Sequence, residues 1–430
     1  MDTQPQLQPQ SQPRRRRLTL TRQILIGLLL GIALGAWISA YGPEYATTIQ
    51  PFSQLFLRLI KMIIAPLLFA SLVAGIAGAG HFKAVGRMGL RAIVYFEIVT
   101  TLALVIGLAA VNITRPGDGL DLPLPTEAPE LAGKAQTWAQ IMLHVIPTSV
   151  VQAFAENDVL QIVAFAIFFA IGLTMIGEKA RPVVELCVSI TEAMFKVTNI
   201  VMHYAPIGVG AAMAYTVGHG GLGVLTNLAW LVGTLYGALV AFMLLVLLPV
   251  AFIARVPLRK FFKVVKEPAV IAFSTTSSEA ALPRAMEALE RLGVPRRVVA
   301  FILPLGYSFN LDGTTLYLSL AAVFVAQAAN VELTVGQQIT ILLTLMLTSK
   351  GVAGVPRASL VILANTLAMY GLPPEGIALI LGVDELMDMA RTTVNVVGNC
   401  LATVVVAKWE GLFVEASDAE LDAAHKREEV

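Results

Sequence analysis

The stretch DELMDMARTTVNVVGN, residues 384–399, constrains this chain more than any other feature. GIALILGV precedes it and CLATVVVA follows it, both apolar enough for a bilayer. Between them Asp384, Asp388, Arg391, Thr392, Asn395 and Asn399 fall at offsets 0, 4, 7, 8, 11 and 15. At 3.6 residues per turn these offsets form one stripe on one helix. Each Asp or Arg near the centre of a membrane helix costs roughly 2.5–3.5 kcal/mol. Facing lipid, the three together would cost on the order of 8–10 kcal/mol. The stripe must therefore face protein or a cavity.

The rest of the chain supports a membrane setting. It has 430 residues, 57% hydrophobic and 14% charged, with a mean hydropathy of +0.75. Soluble domains carry roughly 25% charged residues. Segments 24–40, 55–78, 101–113 and 229–254 are long or nearly uncharged. The chain is an all-α polytopic membrane protein, with the lipid bilayer as its first partner. A net charge of +1 gives no reason to invoke nucleic acid. Cys187 and Cys400 lie in separate apolar segments, too few for a disulfide framework and without metal-ligand spacing. The Gln/Pro-rich start ends in Arg14–Arg17 and, with the apolar run after it, resembles a signal peptide. The orientation count rejects that reading, because it requires the run to stay as a helix starting in the cytoplasm. Gly27, Gly31 and Gly35 are four apart, a helix-packing spacing given no functional weight here. The Asn-Ile-Thr tripeptide at Asn112 is read as accidental.

Positive-inside bookkeeping yields one consistent path. Arg14–Arg17 start inside, the loop before YGPEYATT is outside, and HFKAVGRMGLR (81–91) is inside. The acidic stretch 118–133 is outside, GEKARP (177–182) inside and GHGGLG (218–223) outside. The basic ARVPLRKFFKVVKE (254–267) is inside again, and both termini are expected in the cytoplasm. PAVIAFSTTSSEAALP (268–283) then lies between that loop and a second basic one, 284–297. Sixteen residues with a Ser/Thr centre are too few to cross, so the segment enters and returns. Residues 334–376 break midway at SKGVAGVP and lack a basic residue at either outer end, which reads as a second hairpin from outside. Each hairpin precedes a long helix with a polar middle: 298–327 with SFNLDGTT, and 377–408 with the opening stripe. Hairpin then broken helix, twice and from opposite faces, is an inverted repeat. In secondary transporters that arrangement marks a midplane substrate and ion site.

The residues themselves propose a ligand. Asp388 and Arg391 are three apart on one helical face, extended by Thr392 and Asn395. One carboxylate beside one guanidinium suits a molecule carrying both an ammonium and a carboxylate. An acidic amino acid fits: Asp388 takes the amine, Arg391 the side-chain carboxylate, and backbone N–H groups at the hairpin tips the α-carboxylate. In SFNLDGTT, Asn310 and Asp312 beside Gly313 mark a helix break whose freed carbonyls can coordinate a cation. TTSSEAALP invites a serine nucleophile at Ser277 or Ser278, but the histidines are scattered and no base is in place, so the chain is not read as an enzyme. Glu97, Glu279 and Asp384 are spare carboxylates in the membrane region, and shielding from water suits a carboxylate to carry a proton.

With these residues on the page, the chain resembles the dicarboxylate/amino acid:cation symporters, which include the excitatory amino acid transporters. The resemblance runs from about residue 20 to 412 and is most specific in SSEAALP, NLDGT, SKGVAGVP and DMARTTVNVVGN. Within the family it is most similar to bacterial proton/glutamate symporters of the inner membrane, whose last helix also reads NVVGN and then VVAKWE. The resemblance implies eight transmembrane helices, two re-entrant hairpins, a homotrimer, and a transport domain moving like an elevator against a scaffold. It implies a polar tail at 1–18, scaffold helices at 19–80 and 115–220, and transport-domain parts at 81–114 and 221–410, with a cytoplasmic tail at 411–430. The transport core holds the hairpins 268–283 and 334–372. Carried onto matching positions, Ser278, Thr314, Asp388, Arg391, Thr392 and Asn395 contact substrate with backbone from Val355, and Thr276, Ser277 and Ser359 lie beside them. Gly306, Ser308, Asn310, Asp312, Ser349, Asn395 and Asn399 match cation positions, with sodium as the alternative ion at Asn310, Asp312 and Asn395.

The departures bear on the coupling ion. Sodium-coupled relatives carry Asp where this chain has Asn399, and a Tyr and a Thr where it has Phe96 and Val99, although Thr100 keeps a hydroxyl. Archaeal members place an arginine at Thr276 and animal members one at Met389; Arg357 at the second hairpin's tip offers a replacement charge. The glutamate of potassium-coupled members is Leu318, which argues against potassium counter-transport. The expectation is a proton-coupled glutamate/aspartate symporter with no cofactor. Its alternatives are a sodium-coupled or C4-dicarboxylate symporter and, in another class, an anion channel. Those dicarboxylate relatives generally lack an aspartate at the position of Asp388.

Overall fold

A chain this apolar must satisfy its backbone N–H and C=O groups inside the bilayer, and helices do so within one segment. The computed structural model describes residues 20–42, 45–78, 82–120, 143, 145–348, 358–373 and 376–417. Three long helices open the chain: α1 (Leu20–Tyr41), α2 (Ala46–Gly78) and α3 (Phe82–Thr114). A short α4 (Val150–Glu156) leads to α5 (Val159–Ile176), whose first turn is capped by the Asp158 side chain. A 3-10 turn at Gly177–Ala180 joins it to α6 (Arg181–Met202), followed by α7 (Ala205–Gly220). α8 (Val224–Phe242) runs through a π turn, Met243–Leu247, into α9 (Leu248–Ile253). Then come α10 (Leu258–Thr275), α11 (Ser278–Leu292), α12 (Arg296–Phe309), α13 (Asp312–Ala328), α14 (Val335–Thr348), α15 (Ala358–Met369) and α16 (Gly376–Trp409).

Seven stretches of the described residues are long and apolar enough to cross a membrane. One of them, Gln161–Met202, holds both α5 and α6. The chain is thus a multi-pass, all-helical membrane protein. Burial separates the stretches: 28% of an 18-residue window within Arg22–Tyr41 is buried, against 94% of one within Arg296–Ala328 and 83% of one within Leu379–Trp409. α12–α13 and α16, the segments with polar middles, are the interior of the bundle.

Packing follows side-chain size. α1 lies along α7, with Gly27 against the Pro206 carbonyl, Gly31 against Gly210 and Gly35 against Ala214. A Cβ at Gly27 or Gly31 would run into the α7 backbone, so the glycine spacing seen in the sequence is a packing face. α2 packs on α5, α6 and α7. α3, α8 and α10–α13 gather around α16, while α14 and α15 pack on α13. The two groups meet where α7 and α1 touch α16, and also where α2 touches α15, α5 touches α14 and α7 touches α8.

The first hairpin is longer than 268–283. Its arms are the whole of α10 and α11, packed against each other and against α16. The basic flank expected as a loop is helical because Phe261, Val265, Pro268 and Ala272 recur on one buried face. The arms meet at Thr276, held in the left-handed region at φ 51°, and at Ser277, whose side chain caps α11 by accepting from the Ala280 N–H. The tip of the second hairpin, with Ser349, Gly354, Val355 and Arg357, lies outside the described residues. The long helices differ from each other. α12 and α13 are separated at Asn310–Leu311 as expected, but α16 runs unbroken for 34 residues. Its Asp388, Thr392, Asn395 and Asn399 side chains find partners without unwinding the backbone.

The chain beyond α16 is fastened back onto the bundle. Val414 N–H donates to the Gly293 carbonyl and Ala416 N–H to the Leu292 carbonyl, each at 3.2 Å. Lys260 of α10 pairs with Glu415 at 2.7 Å and donates to the Ala416 carbonyl at 2.9 Å. Glu410, its side chain buried, receives Arg87 and Arg91 of α3 at 2.9 and 2.8 Å. Residues 410–416 thus clasp the base of the first hairpin to α16 and α3. Gly293 sits at φ 109°, where a Cβ would meet the Val414 carbonyl. Gly293→Val should therefore cost about 2 kcal/mol or more. A lowered midpoint of thermal unfolding in detergent checks this, and an unchanged midpoint would mean that the clasp bears no load.

Candidate functional site

The stripe on α16 faces protein, as its insertion cost requires. Arg391 is 1% and Asp384 0% exposed, and Asp388, Thr392, Asn395 and Asn399 are buried with them. Arg391 Nε donates to Asp388 Oδ1 at 2.7 Å, and the same oxygen accepts the Thr392 hydroxyl at 3.0 Å. Arg391 Nη1 lies 3.0 Å from Asp384 Oδ1, an ion-pair contact rather than an aligned hydrogen bond. Nη2 makes no hydrogen bond among the described residues. The guanidinium stands 4.2 Å over the ring of Tyr317, a cation–π contact. One guanidinium thus sits between two carboxylates and one aromatic face, fully out of water.

α13 is brought against this cluster at its first turn. A Cβ at Gly313 would collide with the Arg391 carbonyl, so only glycine allows the two backbones so close. The helix lacks a cap of its own at Leu311. Asn395 supplies one from across the interface: its Oδ1 accepts from Gly313 N–H at 2.8 Å and Thr314 N–H at 3.3 Å. Asn395 Nδ2 donates to the Thr314 hydroxyl at 2.9 Å. Thr314 and Asn395 are therefore locked together beside Arg391.

One turn further along α16 a second polar network occupies the α12–α13 break. Asn310 Nδ2 donates to Asp312 Oδ2 at 3.0 Å and to Asn399 Oδ1 at 3.3 Å. Asn399 Nδ2 donates to the Asn310 carbonyl at 3.0 Å. The Thr100 hydroxyl of α3 lies 3.4 Å from both Asn310 Oδ1 and Asp312 Oδ1. Gly306 and Gly398 leave room for Asn399 and Asp312, whose side chains a Cβ at either glycine would strike. Phe96 reaches the same place next to Gly306 and offers only carbon. These are hard oxygen donors with one formal charge, a set suited to a small monovalent cation or, in this arrangement, satisfied by its own amide protons. Among the described residues no group of three or more His, Cys, Asp or Glu side chains forms a metal centre.

The remaining candidates divide by element. Thr276, Ser277 and Ser278 form the first hairpin's tip, with Thr276 and Ser278 buried. Ser359 is buried at the start of α15. Only the backbone of Ser308 is described, and Ser349 and Val355 are outside the described residues. Glu97 and Glu279 are half-buried on α3 and α11, and neither forms a hydrogen bond or ion pair with Arg391. Tyr317 is a further member of the site that the polar motifs do not single out. Its signal was available: it lies three residues after Thr314, on the same face of α13.

A many-helix bundle that turns its charged side chains inward into a buried polar cluster is the build of a membrane transporter. The model of the sodium:dicarboxylate symporter family matches residues 20–409, and this chain belongs to that family. The chain is 46% identical over 390 residues to a proton/sodium-glutamate symport protein of Bacillus subtilis, covering 89% of this chain and 91% of the relative. It is 43% identical over 377 residues to a C4-dicarboxylate transport protein of the same organism, covering 86% and 90%. It is 42% identical over 392 residues to the proton/glutamate-aspartate symporter of Escherichia coli, covering 88% of each chain. The family and these relatives are transporters, not enzymes.

The capping role makes a prediction of its own. Asn395→Ala strands the Gly313 and Thr314 N–H groups in the interior, at a cost of about 1–3 kcal/mol. Thermal unfolding should show that loss, whereas Thr393→Ala, on the half-buried side of α16, should cost little. Equal effects from the two variants would remove the cap from the account.

Proposed function

We propose that this protein is a secondary active symporter that imports glutamate and aspartate with protons across the bacterial plasma membrane. The observation that carries the reading is the buried Asp388–Arg391 pair, at 2.7 Å, with an unused guanidinium edge beside it. Asp388 receives the substrate ammonium and Arg391 its side-chain carboxylate. Backbone N–H groups at the tip of the first hairpin, before Ser278, and at Val355 receive the α-carboxylate. Thr314, Thr392 and Asn395 shape the wall between them. A dicarboxylate without an amine would leave Asp388 facing no cation, which favours amino acids over the C4 substrates that some relatives are named for.

Transport then follows an elevator. The reading counts eight transmembrane helices and two re-entrant hairpins in inverted repeat, with the chain's ends in the cytoplasm. α1, α2 and α5–α7 serve as the scaffold of a homotrimer, and the elements gathered on α16 as the moving domain. The separate packing of those two groups supports the division. Proton rather than sodium coupling is supported by the Thr100, Asn310, Asp312 and Asn399 network, which has a single formal charge. Sodium at Asn310, Asp312 and Asn395 is the alternative.

Purified protein in proteoliposomes tests both parts. Arg391→Ala should abolish uptake of acidic amino acids, because a desolvated, unpaired carboxylate costs about 3–5 kcal/mol. Asp388→Ala should impair glutamate more than succinate. Glutamate transport by Arg391→Ala at near wild-type affinity would show the site to be wrong. Uptake should follow an inward-acid pH gradient without sodium; strict dependence on a sodium gradient at constant pH would overturn proton coupling.

A further inference from the structure

We propose that the exposed face of α10 and the turn before it bind an anionic phospholipid, with Arg255, Arg259 and Lys266 on its phosphate and Phe262 against its chains. The level of the headgroups is marked by the ends of three apolar stretches. Val224–Ile253, Leu379–Trp409 and Arg87–Thr114 are each long and apolar enough to cross a membrane. Lys408, at the end of the second, donates to the carbonyl of Arg255, two residues past the end of the first, at 2.8 Å. Arg87 and Arg91, at the start of the third, reach Glu410 just past the second, at 2.9 and 2.8 Å. Lys260, in the first turn of α10, pairs with Glu415 at 2.7 Å. The three stretches therefore end at one level, and α10 begins there.

α10 has two opposite faces. Phe261, Val265, Pro268 and Ala272 are buried. Arg259, Phe262, Lys263, Lys266, Val270 and Phe273 are exposed. At about 100° per residue these six fall on one stripe roughly 100° wide, facing away from the buried set. The stripe is graded along the helix. It is basic with one aromatic up to Lys266, then apolar at Val270 and Phe273 toward the hairpin tip. Residues 254–267 carry Arg255, Arg259, Lys260, Lys263 and Lys266 against a single acid, Glu267. Glu267 lies at the edge of the stripe and pairs with Arg284 at 3.4 Å.

Basic side chains clustered just beyond a membrane-crossing stretch attract anionic headgroups, each raising affinity about fivefold. Lys and Arg lay their carbon stems along apolar surface and keep the charge at the interface, so Lys266 serves the same headgroup layer from deeper on the stripe. Phe252 and Ile253, exposed at the end of α9, continue the apolar surface of Phe262. Charge beside exposed apolar side chains, at the level where three stretches leave the bilayer, selects a lipid over a soluble anion. The turn is fixed beforehand: Arg255 is held in the left-handed region at φ 53°, with its carbonyl on Lys408.

Native mass spectrometry of the full chain in detergent tests this, by comparing retention of phosphatidylglycerol and of phosphatidylcholine with the same acyl chains. Wild type should prefer phosphatidylglycerol by roughly tenfold or more. Arg259→Gln and Lys266→Gln should each lower that preference about fivefold, whereas Arg259→Lys and Lys266→Arg should keep it. Arg181→Gln, at an exposed arginine on another turn, should leave it unchanged. Phe262→Ser should weaken both lipids alike. Inorganic phosphate and glycerol 3-phosphate, which lack chains, should not displace the lipid at equal concentration. If Arg259→Gln does not fold, Lys266→Gln decides alone. Equal retention of the two lipids by wild type, no loss of preference from Lys266→Gln, an equal loss from Arg181→Gln, or displacement by phosphate overturns the proposal.

Discussion

The structure is organised around one guanidinium that has no water. Removing an arginine from water carries a desolvation penalty of several kcal/mol, which only close opposite charge and good hydrogen-bond geometry offset. Here the offset comes from Asp388 at 2.7 Å, Asp384 at 3.0 Å and the ring of Tyr317 at 4.2 Å. Nη2 makes no hydrogen bond among the described residues, which leaves one edge of the guanidinium for the carboxylate of the proposed substrate.

The surrounding fold holds the cluster in place. Gly313 lets α13 press against the Arg391 backbone, and Asn395 fastens the first turn of α13 from the opposite side. The Asn310–Asp312–Asn399 network then continues the same interface into the helix break. With both helices pinned, a side chain can change partner without moving the backbone that carries it. The clasp at 410–416 extends this rigidity to the base of the first hairpin through Gly293, Lys260 and Arg91. The hairpin, α3 and α16 are thereby tied at one end, as the parts of a single moving body would have to be.

Much of this was legible in the sequence wherever a residue type has a cost in lipid. The Asp384–Asn399 stripe announced a buried polar face because the alternative was so expensive, and Asn310, Asp312 and Gly313 announced the helix break. Membership of the symporter family followed from NLDGT and DMARTTVNVVGN. What depends on three-dimensional partnership was not legible. Tyr317 is one more apolar-looking position until Arg391 is placed over it. Asn395 reads as a ligand-contacting residue, whereas much of its capacity goes to capping α13. α16 looked breakable because it carries so many polar groups, yet Asp388 is met by Arg391 and Thr392 one turn on, Asn395 and Asn399 are met by α13 and the α12–α13 break, and the helix stays whole. The arms of the first hairpin were mistaken for loops because their lysines and arginines suited an orientation argument, while the buried face at Phe261, Val265 and Ala272 was overlooked.

The most direct test is a structure of the protein with glutamate bound, at a resolution that shows side-chain oxygens and guanidinium nitrogens. The account predicts the substrate ammonium on Asp388 and its side-chain carboxylate on Arg391. A glutamate bound elsewhere, or bound with its side-chain carboxylate away from Arg391, would contradict it.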